Sequence, residues 1–264
     1  MTSDRVRQQP IATPVARWDW PQSQTQPIEE CGEPLVPMGL VPEKILVSPQ
    51  YFLQKLDGAL PDVLCREAVL TRLTAAGEEL PRGFRFVVYD CWRPLGVQRL
   101  LFDEQKEEMR KRNPGATQAE LTDMALIYVA LPSTDPLKPS PHNTGGAIDL
   151  SIVDADNRPL DMGGAYDEAS EISATMYFEK KLAMGEALSR AEIRACENRR
   201  LLYGIMTRAG FTNYIDEWWH FDYGNQNWAW ASGAGPAIYG MASRQDLVDG
   251  VGQLGQGVGG LVAS

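Results

Sequence analysis

Residues 140–153 read Ser-Pro-His-Asn-Thr-Gly-Gly-Ala-Ile-Asp-Leu-Ser-Ile-Val. From Ala147 to Val153 the apolar and β-branched residues predict a strand. Just before it, Gly145 and Gly146 let the backbone turn or pack closely. His142 and Asp149, seven residues apart across that glycine pair, would be brought to one point. An imidazole and a carboxylate are suitable zinc ligands. Taken alone, the pair reads first as a loop histidine followed by a strand aspartate that caps or pairs.

Upstream, Phe84–Asp90 is β-branched and aromatic and predicts a second strand. Arg93-Pro94 follows; the residue before proline is pushed to an extended conformation, and proline suits a first helical position. A helix is expected from Pro94 to about Arg112, and another over Leu60–Leu80. Thr117-x-x-Glu120 and Ser189-x-x-Glu192 are capping boxes. The second opens a helix to about Ala209, stopped by Gly210. Residues 132–144 and 154–170 read as loops. Trp218–Tyr223 reads as a strand. Helices interleave with a few short strands outside strict βαβ alternation, which favours an α+β fold in one domain. Residues 1–30, polar and rich in Pro and Gln, read as a loosely held arm. Residues 31–239 read as the folded domain and 240–264 as a Gly-rich, flexible tail.

The chain has 264 residues, of which 44% are hydrophobic, so it can bury a core. Lys+Arg number 25 and Asp+Glu 35, a formal net charge of −10. That argues against sequence-independent nucleic-acid binding, which needs basic surface. No stretch approaches the roughly 18 apolar residues of a membrane span. The N-terminus lacks the apolar core of a secretory signal, so a cytoplasmic location is expected. The four cysteines are scattered and read as free thiols.

There are two histidines, so any histidine chemistry uses His142 and His220. His220 ends the run Asp216-Glu217-Trp-Trp-His220. In a regular strand, residues three apart face opposite ways. Glu217 and His220 share a site only if Glu217 lies in the turn before the strand or at a bulge. Arg93 stands at a strand-to-helix junction, where a guanidinium could stabilise an oxyanion. Singly these are ordinary features: a satisfied strand histidine, a surface arginine. Together, His142, Asp149 and His220 make three ligands with a fourth position open, with Glu217 as a base and Arg93 as an electrophilic partner. Such a ligand set prefers zinc and would accept cobalt or nickel.

The order S-x-H-x-x-G-x-A-I-D, then D-M-G-x-x-[FY]-D-E, then E-N-R-R-L-L-x-x-I-M-x-x-x-G-F and E-W-W-H resembles the D-Ala-D-Ala dipeptidases. These are the zinc D,D-dipeptidases related to the vancomycin-resistance dipeptidase. Tyr89-Asp-Cys-Trp-Arg-Pro94 fits the same family. The resemblance runs from about Phe84 to Tyr223. It implies a small central antiparallel sheet flanked by helices, one zinc per chain and a free dipeptide as substrate. It implies His142, Asp149 and His220 as ligands, Glu217 as general base and Arg93 as oxyanion stabiliser. Ser140 matches a family serine near the substrate, and Asp167 a family aspartate near the substrate's amino group. A homodimer is also implied. Two departures stand out: Cys91 occupies a position where glycine is common, and the family's substrate-contacting N-terminal tyrosine has no clear counterpart within residues 31–62. The alternatives are a D,D-carboxypeptidase on peptidoglycan stem peptides and a non-catalytic zinc-binding module of the same fold.

Overall fold

The strand Ala147–Val153 is buried along its whole length. The structure, a computed structural model, describes residues 3–12, 18–126 and 128–247. In chain order its elements begin with α1 (Ser3–Arg7), α2 (Trp20–Ser23), β1 (Leu35–Pro37), β2 (Ile45–Val47), α3 (Gln50–Leu53), β3 (Leu64–Arg66) and α4 (Glu67–Gly77). Next come β4 (Arg85–Asp90), α5 (Leu95–Arg112), α6 (Gln118–Ala125) and β5 (Ala147–Val153). The remainder are α7 (Tyr177–Ala183), α8 (Arg190–Arg208), β6 (Thr212–Asn213), β7 (His220–Asp222) and α9 (Gln226–Ser232).

The architecture is α+β. Five strands form one sheet in the order β2-β4-β5-β7-β6, and β1 pairs separately with β3. Pairing is antiparallel from β4 to β6, and β2 adds a parallel edge. Strand side chains alternate between faces. Ile148, Leu150 and Ile152 therefore join Phe86, Val88 and Phe221 in the core. Helix α4 covers that core with Val69 and Leu73, and α8 with Leu201, Leu202, Ile205 and Met206. Asp149 and Ser151 point to the other face.

Both capping boxes form as read, at Thr117/Glu120 and Ser189/Glu192. The helix expected over Leu60–Leu80 is shorter. Leu64–Arg66 pairs with Leu35–Pro37 as a strand, and the helix begins only at Glu67. A short apolar run buried on both sides satisfies strand and helix alike, and here the partner strand decides. The strand expected over Trp218–Tyr223 is confined to His220–Asp222, because Glu217 and His220 spend their amides on a turn, donating to Tyr214 O and Glu217 O.

The described N-terminal residues are anchored through Val6 and Ile11. Val6 is 2% exposed and lies against α8, where a Cβ on Gly204 would come within 2.5 Å of it. At the other end, Gly240 donates to Glu30 and Ala242 donates to the carbonyl of Asn143. The rest of the expected tail, residues 248–264, lies outside the described residues. Arg66, 1% exposed, joins these segments. It donates to the carbonyls of Glu33, Thr144 and Gly240 and to the Glu30 carboxylate.

Glu179 anchors the N-terminal segment. Its carboxylate accepts from Ile11 N at 3.1 Å and from Arg200 at 2.7 and 2.8 Å. Burial pushes this carboxyl upward, but Arg200 and the Ile11 amide outweigh it and hold it below the ordinary range. A carboxyl held down in the folded state stabilises the protein above its unfolded pKa, roughly 4.3 for Glu, and that contribution is lost as pH falls through the folded value. Glu179→Gln is expected to lower the thermal midpoint at pH 7 by roughly 2–4 °C. The gap to the parent protein should narrow as pH drops below about 4. Thermal melts across that range check this; a gap independent of pH would contradict it.

Candidate active site

The sheet register assembles the site. Asp149 on β5 lies opposite His220 on β7 and, across β5's other edge, opposite Asp90 on β4. A register shift between Val88 and Asp90 makes the second pairing. Without the extra residue of that bulge, Asp90 would turn to the other face. His142 arrives from a 3-10 turn, Pro141–Thr144, that leads into β5. The two glycines between are required there. Gly145 has φ +74, and a Cβ on Gly146 would sit 2.3 Å from the carbonyl oxygen of Tyr223.

Three atoms converge: His142 Nε2, Asp149 Oδ1 and His220 Nδ1. They are separated by 3.1 Å (His220–Asp149), 3.2 Å (His142–His220) and 3.5 Å (His142–Asp149). Donor atoms at zinc–ligand distance from one tetrahedral centre lie roughly 3.3 Å apart. The outer nitrogens each have an acceptor of their own. His142 Nδ1 is 2.9 Å from the carbonyl oxygen of Cys91, and His220 Nε2 is 3.2 Å from Asp222 Oδ2. With the ring protons on these outer nitrogens, two nitrogen lone pairs and a carboxylate oxygen face one another. Three acceptors with no donor between them repel. A cation relieves that, and the residues fit one. Against the pull of burial, positive charge on the two imidazoles would hold the Asp149 carboxyl well below its ordinary range, and a cation at the same point acts in the same direction. His142, Asp149 and His220 are all buried.

Glu217 lies in the turn before β7, the condition under which it can share a site with His220; its Oε2 is 3.8 Å from His220 Nδ1. Burial, reinforced by the charge of Asp149, pushes its carboxyl up to about 8. Arg93 stands on the opposite flank, 4.0 Å from Asp149 Oδ2. Its guanidinium donates to Asp90 Oδ2 at 2.8 Å, Gln98 Oε1 at 2.8 Å and Tyr51 OH at 3.0 Å. Asp167 remains exposed to solvent, with a left-handed backbone at φ +60. Crowding that strips part of its water and the Asp149 charge push its carboxyl upward, and it has no ion-pair partner among the described residues. Ser140 is buried in the turn that carries His142, and its hydroxyl donates to Asn143 Oδ1.

Four further residues belong to the site. Tyr166 OH donates to Asp149 Oδ2 at 3.1 Å and lies 3.5 Å from Tyr51 OH. The two hydroxyls thus bridge Arg93 to Asp149, and burial keeps both phenols protonated. Tyr166 also lines a cleft of about 470 Å³ with Tyr89, Ser151, Met162 and Trp218. Asp90 and Asp222 complete the set. Asp222 had a signal in the sequence: two residues after His220 in a strand, it must share that residue's face. Asp90 had a weaker one, three residues before Arg93. Tyr51 had none, because its neighbourhood carries no recognisable pattern.

A family described as D-ala-D-ala dipeptidase, peptidase M15, matches residues 59–232. Among individual proteins, the D-alanyl-D-alanine dipeptidase of Synechocystis sp. is 35% identical over 218 residues, 77% of this chain and 87% of that protein. The Escherichia coli protein of the same name is 31% identical over 140 residues, 53% of this chain and 55% of its own. The Streptomyces coelicolor one is 31% identical over 160 residues, 58% and 68%. Tyr51 lies outside the stretch matched by the family.

Arg199 of α8 holds the loop that carries Tyr166 and Asp167. It is 2% exposed and donates to the carbonyls of Met162, Ala174 and Ile172. Burial pulls its pKa down to about 10. Three carbonyls satisfied by one fork of donors substitute for strand pairing in this loop. In Arg199→Met those acceptors lose their donors, at about 1–3 kcal/mol for each that stays buried. Hydrogen exchange at residues 162–174 is expected to accelerate while β5 amides stay protected. Equal acceleration in both would show that Arg199 serves the whole core instead.

Proposed function

This chain belongs to the D-Ala-D-Ala dipeptidase family of metallopeptidases, and from that premise we propose that it hydrolyses free D-alanyl-D-alanine, or a closely related dipeptide, to two amino acids at a site where His142, Asp149 and His220 hold one zinc ion. The observation that carries this reading is the convergence of three acceptor atoms on one point, with a carboxylate on one flank and a guanidinium on the other. The relatives' shared name supplies the substrate. Zinc bound there would polarise the scissile carbonyl and acidify a water.

The chain's own residues do the rest. Glu217 takes a proton from the attacking water and returns it to the leaving amine. A base whose pKa lies near the working pH suits both transfers, and burial places Glu217 in that range. Arg93 donates to the carbonyl oxygen as charge builds on it. Asp90, Gln98 and Tyr51 hold the guanidinium, so little reorganisation is needed when that charge appears. Asp167, unpaired and solvent-facing, receives the substrate's ammonium group. Ser140 approaches the substrate from the turn beside His142.

D-alanine release by purified, zinc-loaded protein tests the reading. Glu217→Gln is expected to lower kcat by about 10²–10⁴-fold with zinc retained. Arg93→Ala is expected to lower it by about 10²–10³-fold. A folded, zinc-loaded parent protein that releases nothing would overturn the assignment. Faster release from a pentapeptide ending in D-Ala-D-Ala than from the dipeptide would favour a D,D-carboxypeptidase.

A further inference from the structure

Asp222 is the most deeply buried carboxylate among the described residues, with 0% exposure. No lysine or arginine among them pairs with it. Its contacts are His220 Nε2 at 3.2 Å, Asn225 Nδ2 at 2.6 Å and Asn227 Nδ2 at 3.3 Å. Both asparagines are buried too. Asn225 is itself fixed, because its Oδ1 accepts from Trp228 N at the start of α9. The carboxylate is therefore oriented from two sides and aims one oxygen at the imidazole.

A buried charge without a counter-charge is strongly unfavourable. Two amides satisfy hydrogen bonds but supply no charge. Positive charge reaches Asp222 by one route, through the ring of His220, whose other nitrogen faces His142 and Asp149. A divalent cation at those three atoms would face two buried carboxylates, Asp149 directly and Asp222 across the imidazole. The charges then match, two against two. His142 has no equivalent arrangement, since its Nδ1 donates to a neutral carbonyl and lies 3.2 Å from Asp90, whose carboxylate is already paired with Arg93.

We propose that Asp222 is a positioning residue and buried counter-charge for the cation held by His220, presented by Asn225 and Asn227, and that it sets the protein's zinc affinity. This rests on the zinc-site reading above. It fixes the imidazole with its Nδ1 lone pair toward His142 and Asp149, and it strengthens that nitrogen as a ligand.

Zinc affinity of the full chain, measured by competition with a chromophoric chelator, tests this without reference to turnover. Asp222→Asn is expected to weaken zinc binding by about 10–100-fold. The visible bands of bound cobalt should persist, because all three ligands remain. Gln226→Ala, a buried neighbour that bonds to the carbonyls of Gln24, Gln26 and Leu137 and not to Asp222, should stay within about threefold of the parent protein. Should Asp222→Asn not fold, Asp222→Ser, which leaves room for a water, carries the same expectation. Unchanged affinity in the Asp222 variant would overturn the proposal. So would equal weakening in the Gln226 variant, which would assign the effect to packing. If the parent protein itself binds no zinc, the site reading fails first.

Discussion

The antiparallel register of β4, β5 and β7 is the constraint on which the site depends. It places Asp90, Asp149 and His220 in one row across three strands. Side chains alternate with period two, so a slip of one residue between β5 and β7 would bury Asp149 in the apolar face and expose Ile148 to the cleft. The core itself resists the slip, because Ile148, Leu150, Ile152 and Phe221 interlock on the opposite side. Packing on one face thus fixes ligand geometry on the other. The bulge at Tyr89 belongs to the same scheme, since it brings Asp90 into the row and aims it at Arg93 and His142.

Much of the remaining polypeptide is loop, and its backbone carbonyls need donors. Buried arginines provide them. Arg66 gathers the carbonyls of Glu33, Thr144 and Gly240, joining the N-terminal residues, the His142 turn and the chain after α9. Arg199 does the same for residues 162–174. A guanidinium has five donors in a rigid fork and stays charged, so it can hold several acceptors in fixed directions where a lysine could not. Both arginines lie outside the ligand cluster, yet each controls a segment that lines it.

The local signals in the sequence were strong where one element supplied its own evidence. Ala147–Val153, the two capping boxes and the helix after Pro94 needed no partner to be read. The strand period alone narrowed Glu217 to a turn or a bulge if it was to share a site with His220, and the turn is what forms. What depended on distant partners was not legible. Leu64–Arg66 is a strand because Leu35–Pro37 lies beside it. The N-terminal residues read as an arm because Val6 and Ile11 show no periodicity, while the groove that receives Val6 is made by Gly204 on α8. Tyr51 reaches Arg93 across 42 residues, through a fold that no local pattern around it announces.

Two carboxylates near the same point end in opposite states, and their surroundings account for the difference. Asp149 accepts from Tyr166 and faces His142 and His220 at the point of convergence, where positive charge favours its ionised form in spite of burial. Glu217 has fewer such partners. Desolvation dominates there, the Asp149 charge adds to it, and the carboxyl is driven up to about 8. The charge of Asp149 is thus part of what raises the Glu217 carboxyl. A site that needs one permanent anion to hold a cation and one carboxyl able to gain and lose a proton can obtain both from two ordinary residues. It does so by setting a donor and positive charge around one and desolvating the other beside a like charge.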